Sequence, residues 1–181
     1  MVLEEFKLNG EVAILAASGR SWAKDLAAAL AEAGAKVVLA GHQIESETKG
    51  APNLAGNVTV MPTDLTSRDE IQNTVAQTIS QYGSIDILVN NMNLEFGKPF
   101  LEMTDREMTQ VMDANFTSTY HCCKAVGEQM LGRRQGKIVN IVSGAAARGL
   151  GNATAYCASM GGVIQLTRSL ALEWARSGSV E

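Results

Sequence analysis

The sequence predicts an α/β domain: a parallel sheet, doubly wound, with helices on both faces in three layers. Three observations carry this. Short apolar runs such as Val12-Ala-Ile-Leu-Ala16 and Lys36-Val-Val-Leu-Ala40 are too uniformly apolar for strands with one wet face and suit strands buried on both. These runs alternate with longer helical segments, the arrangement that builds βαβ units. A chain of 181 residues with 46% hydrophobic content has apolar material for one core and one domain, taken here as 1–181. Right-handed crossovers then place ligands at the carboxyl ends of the strands.

In order, the strand at 12–16 is followed by an alanine- and leucine-rich helix from Trp22 to Ala33, stopped by Gly34. The second strand spans 36–40, and a polar stretch from Glu45 to Gly56 reads as loop or irregular helix. Asn57 to Met61 alternates as a third strand. Thr66 or Ser67 caps a helix running to Tyr82, with Gly83 as its stop. Ile85 to Asn90 is the fourth strand, and Thr104 opens one long helical region to Leu131 with Asp105 and Glu107 near its start. Lys137 to Val142 is the fifth strand, and Thr154 to Arg176 the last helix.

Composition excludes several functions. Fifteen Lys+Arg against nineteen Asp+Glu give a net charge of -4, and no basic stripe offers a nucleic-acid footprint. The opening MVLEEFKLNGE lacks a secretory apolar region, and no run approaches a membrane span. Cys122, Cys123 and Cys157 cannot all pair internally, which points to a reducing, cytoplasmic setting, with Cys122 and Cys123 as buried helix residues rather than a redox pair. No metal-ligand cluster is expected.

Chemistry concentrates between Ser143 and Met160. A serine ends the strand IVNIVS, a loop follows, and Tyr156-Cys-Ala-Ser-Met160 opens a helix. This order resembles the short-chain dehydrogenase/reductase family, with its serine and Tyr-x-x-x-Lys motif, over essentially the whole chain. The resemblance implies a Rossmann-type fold. It makes Tyr156 the general acid or base for a carbonyl or alcohol oxygen, Ser143 a second hydroxyl on that oxygen, and Asn115 in Asp113-Ala-Asn-Phe116 the carrier of a water relay. Met160 stands where the family has lysine. It lies one helical turn after Tyr156, on the same face. A lysine there would set a cation about 4 Å from the phenolate, worth about 4 kcal/mol at an effective dielectric of about 20. Without it, alcohol oxidation should suffer more than carbonyl reduction.

The cofactor loop departs as well. The family pattern is Thr-Gly-x-x-x-Gly-x-Gly, and aligned through AAALAEAGAKVVLAG this chain reads Ala16-Ala17-Ser-Gly-Arg20-Ser21-Trp22-Ala23. Ala17, Ser21 and Ala23 replace the glycines, each β-carbon at the first two costing about 1–3 kcal/mol if the backbone is kept. Gly19 supports a different turn, the Ser18 or Ser21 hydroxyl can donate to phosphate, and Trp22 lies inside the loop; the helix N-terminus remains an anion site. Either binding is weakened 10- to 100-fold, roughly, or the loop binds no dinucleotide. Gly41 and His42 stand where an NAD-selective acid would. With Arg20 they favour NADP(H) over NAD(H), unless His42 is an ordinary surface residue. By resemblance Asp64 contacts adenine, though a loop cap is an equal reading. Asn90-Asn91 match the family's Asn-Asn-Ala-Gly, while Met92 and Asn93 replace Ala-Gly and crowd the cofactor's path.

The expected function is NADP(H)-dependent carbonyl/alcohol interconversion on a small substrate, weak or altered through Met160. The alternative is a non-catalytic subunit or ligand-binding module of the same fold. The resemblance implies a homo-dimer or homo-tetramer through helices 104–131 and 154–176, with Val163, Leu166, Leu170 and Leu172 either at that interface or packed on the sheet. Ser177 to Glu181 falls where the family begins further strands. A chain continuing beyond it is the expectation; otherwise the fifth strand is an apolar edge.

Overall fold

The structure, a computed structural model, describes residues 4–18, 22–42, 57–175 and 180. The strands are β1 (Val12–Ser18), β2 (Lys36–Gly41), β3 (Val58–Pro62), β4 (Ile87–Met92) and β5 (Lys137–Asn140). All pair in parallel, in the order β3-β2-β1-β4-β5. The order reverses direction at β1 and β4, which opens a crevice at their carboxyl ends. Alternation along each strand divides the core. Ala13, Leu15, Val37, Leu39 and Val89 face helix α1 (Ala23–Glu32). Ile14, Val38 and Leu88 face α2 (Arg68–Tyr82), together with Cys122, Cys123, Val126 and Met130. Burying each leucine contributes about 1.5–3 kcal/mol.

Two helix ends follow the sequence closely. Ser67 accepts from Glu70 N–H as the N-cap of α2, and Gly83 ends it at φ 88, where a β-carbon would be strained. Other boundaries moved. β4 runs two residues farther than expected, because Asn91 and Met92 continue the ladder opposite Ala17 and Ser18. The expected single helix from Thr104 is three pieces: α3 (Asp105–Met112), a π-helical turn Asp113–Thr117, and α4 (Ser118–Arg133). Thr104 and Glu107 form a reciprocal capping box at the start of α3. The last helix, α5 (Thr154–Ala175), crosses α4 where Gly127 lets the Trp174 ring approach; a β-carbon there would lie 2.6 Å from it.

At the opposite end of the sheet, Arg133 donates to Asp86 Oδ1 at 2.9 Å while Asp86 Oδ2 accepts from Val12 N–H at 3.0 Å, tying β1 to the segment before β4. Cys122 and Cys123 are free thiols in the core; burial raises both, Cys123 to about 12. Of the four apolar residues set aside on α5, Val163 is buried and Leu170 packs against the core, while Leu172 is exposed. Among the described residues no helix is long and apolar enough to cross a membrane, and no group of three or more His, Cys, Asp or Glu could hold a metal ion.

Candidate active site

A cleft of about 240 Å³ opens at the carboxyl ends of β1, β4 and β5, lined by Trp22, Asn91, Asn93, Ser143, Tyr156 and Met160 among others. β5 and the residue after it deliver Ser143: Ile141 N–H still bonds Asn90 O at 2.9 Å, so the ladder aims the chain into the cleft. Ser143 Oγ accepts from Ala145 N–H at 3.2 Å, capping a short turn. That contact uses the oxygen as acceptor and leaves the hydroxyl hydrogen to donate. The first turn of α5 delivers Tyr156, which is 6% exposed and packs with Val111, Ala145, Ala155 and Met160. Its hydroxyl donates to Asn93 Oδ1 at 2.7 Å.

Met160 lines the same cleft at 2% exposure within this apolar cluster. No described cleft-lining residue is cationic, and Glu95 adds a carboxylate at the rim. Lys124 lies over the Tyr120 ring, 5.9 Å from its centroid, and Arg148 is exposed; neither lines the cleft.

Asn115 stands behind the cleft, not in it. From the π-helical turn its Oδ1 accepts from Leu94 N–H at 2.8 Å, and its Nδ2 donates to Leu94 O at 3.1 Å and to Ser159 Oγ at 3.1 Å. Ser159 in turn donates to Tyr156 O at 2.8 Å. The asparagine therefore fixes the segment leaving β4 against the helix that carries the tyrosine, and both ends of its amide are committed.

The cofactor residues divide. Gly19, Arg20 and Ser21 lie outside the described residues. Ala17 is buried beside Asn91, and Trp22 is 73% exposed on the cleft. Asn90 turns away: strand alternation sends its Nδ2 to Asn140 Oδ1 at 2.8 Å and Cys123 Sγ at 3.4 Å, while Asn91 faces the cleft. The period of two along β4 was the signal that separates them. Asp64 serves as a loop cap, accepting from the Thr66 hydroxyl and N–H at 2.7 and 2.9 Å. Those bonds hold its carboxyl below the ordinary range, and the nearby charge of His42 adds to the effect. Asp64, in the loop after β3, thus lies within electrostatic range of exposed His42.

The family model for short chain dehydrogenases matches residues 11–181. The chain is 34% identical over 168 residues to nodulation protein G of Rhizobium meliloti (strain 1021), covering 93% of this chain and 69% of that one. It is 32% identical over 171 residues to 3-oxoacyl-[acyl-carrier-protein] reductase FabG of Vibrio cholerae, covering 94% and 70%. Among solved structures, an actinorhodin polyketide ketoreductase with NADPH superposes with a TM-score of 0.86 at 31% identity, covering 93% and 67%. The chain belongs to the short-chain dehydrogenase/reductase family, a family of oxidoreductases that bind a nicotinamide cofactor.

The described residues fit such a group in part. Among the described residues, Ser18 Oγ at the end of β1 and Asn91 Nδ2 on the cleft are buried without a partner, and a polar ligand crossing the crevice would satisfy the amide. Met160 offers it no charge.

Proposed function

We propose that the protein is an NADP(H)-dependent carbonyl reductase acting on a small substrate. The observation that carries this reading is the convergence of the Tyr156 and Ser143 hydroxyls on one cleft, beside the Asn91 amide, whose Nδ2 has no partner among the described residues. Asn91 and Trp22 would hold the nicotinamide cofactor, with Ala17 and Ser18 at the adjoining end of β1 and the α1 N-terminus favouring phosphate. Asn90 supports this set from beneath through Asn140. NADP(H) rather than NAD(H) rests on Gly41 and exposed His42 at the end of β2; the Asp64 carboxylate, which keeps its negative charge while accepting from Thr66, opposes that preference in part.

When bound, the cofactor supplies the hydride. The chain does the rest. Ser143 donates to the substrate carbonyl oxygen and fixes its direction, and Tyr156 passes its proton to the same oxygen as the carbonyl becomes an alcohol. Solvent in the cleft replaces that proton. Asn115 holds Leu94 and, through Ser159, the backbone of Tyr156, so it positions the donor. The test is loss of NADPH absorbance against a panel of aldehydes and ketones. Tyr156→Phe is expected to lower turnover by about 10²- to 10⁴-fold; equal turnover in the variant would remove Tyr156 from the chemistry.

Two observations favour a second reading, a non-catalytic member of the family. The tyrosine hydroxyl already has an acceptor within the protein, and its helical neighbour is apolar. Panel-wide inactivity together with absent cofactor binding would establish that reading instead.

A further inference from the structure

Asn93 is the first residue beyond β4, and its neighbours leave it little freedom. On one side Met92 is held in the ladder opposite Ser18; on the other, both backbone groups of Leu94 are clamped by the Asn115 amide. The side chain crosses the cleft to Tyr156, accepting the phenol's hydrogen at 2.7 Å. Its Nδ2 faces Glu95 and donates to Oε1 at 3.4 Å. That carboxylate favours this orientation of the amide, because a flipped amide would set oxygen against oxygen at Glu95. With glycine at this position the hydroxyl would face the open cleft. With asparagine it is already occupied.

We propose that Asn93 is a positioning residue that seats an internal acceptor on the Tyr156 hydroxyl, so that a substrate carbonyl engages the tyrosine only by displacing the Asn93 amide. This rests on the reading of Tyr156 as the proton donor. An amide oxygen and a carbonyl oxygen accept alike from a phenol, so the two compete for one hydrogen. Displacement weakens substrate engagement by the worth of one neutral hydrogen bond, about five- to tenfold.

The experiment incorporates 3-fluorotyrosine at the three tyrosines, assigns the Tyr156 fluorine resonance by its loss in Tyr156→Phe, and compares Asn93→Ala and Asn93→Asp with the parent. Benzaldehyde is then titrated as a simple carbonyl probe. The expected result is a Tyr156 resonance displaced in Asn93→Ala, with those of Tyr82 and Tyr120 unmoved. Benzaldehyde should saturate the Tyr156 signal at about five- to tenfold lower concentration in Asn93→Ala, but with no such gain in Asn93→Asp, which keeps an acceptor of the same size. A resonance unmoved in Asn93→Ala, or no tightening relative to the parent, or equal tightening in Asn93→Asp, would overturn the proposal. Neither readout involves NADPH. A chain that fails to bind cofactor still decides this question, and the reductase reading falls or stands separately.

Discussion

Met160 packs among Val111, Ala145 and Ala155, so a cation placed there enters an apolar cluster while gaining proximity to the tyrosine. Met160→Lys is therefore expected to act in opposite directions on activity and stability. Turnover should rise about tenfold, because proton transfer at Tyr156 gains a favourable charge one helical turn away. Stability should fall by about 2 kcal/mol for a poorly solvated ammonium, lowering the melting temperature by about 4–8 °C. Steady-state kinetics and thermal melts on the same preparation check both; unchanged turnover in a folded, cofactor-binding variant would count against the assigned role of this position. Asn115 differs in kind. Its amide ties the segment after β4 to α5, since both ends are bonded to backbone or to Ser159.

At the scale of elements, the start of α3 carries a pH dependence. The Glu107 carboxyl is lowered from 4.5 to about 2, chiefly because the Thr104 N–H donates to it, with Lys98 and the Thr104 hydroxyl adding to the effect. A carboxyl lowered on folding contributes stability that is complete above its unfolded value and lost as pH falls through the folded one. The protein should therefore lose stability between about pH 4.5 and pH 2, and Glu107→Gln should flatten that limb while being less stable than the parent at neutral pH. Acid titrations followed by circular dichroism distinguish the two; parallel acid limbs would contradict the assignment. The caps of α2 and α3 were legible because Ser67, Gly83, Thr104 and Glu107 each satisfy backbone groups locally. The π-helical turn was not. Ser118 Oγ reaches Asp113 O within an unbroken helical pattern, and only tertiary packing of Asn115 against Leu94 explains the extra residue.

Over the whole molecule, the parallel sheet and the two-sided core follow from apolar strands separated by amphipathic helices, and the sequence carried both; the strand order came from the structure. The site was legible in its chemistry but not in its contacts. Ser143 and Tyr156 sit on one cleft as their spacing implies. That Asn93 would reach the tyrosine, or that Asn91 rather than Asn90 would face the crevice, depends on where β4 ends, and its end lay two residues beyond the expected one. β5 pairs with β4, meets Val180 through a bridge at Gly136, and leaves Val139 half exposed. The central claim is that this cleft accepts a nicotinamide cofactor. The most direct measurement is a titration with NADPH, and in parallel NADH, following tryptophan emission. Trp22 stands exposed on the cleft, while Trp174 packs away from it against α4, so the signal reports the site. Saturable quenching with tighter binding of NADPH is the predicted result. A folded chain whose emission is unchanged by millimolar concentrations of both would contradict it.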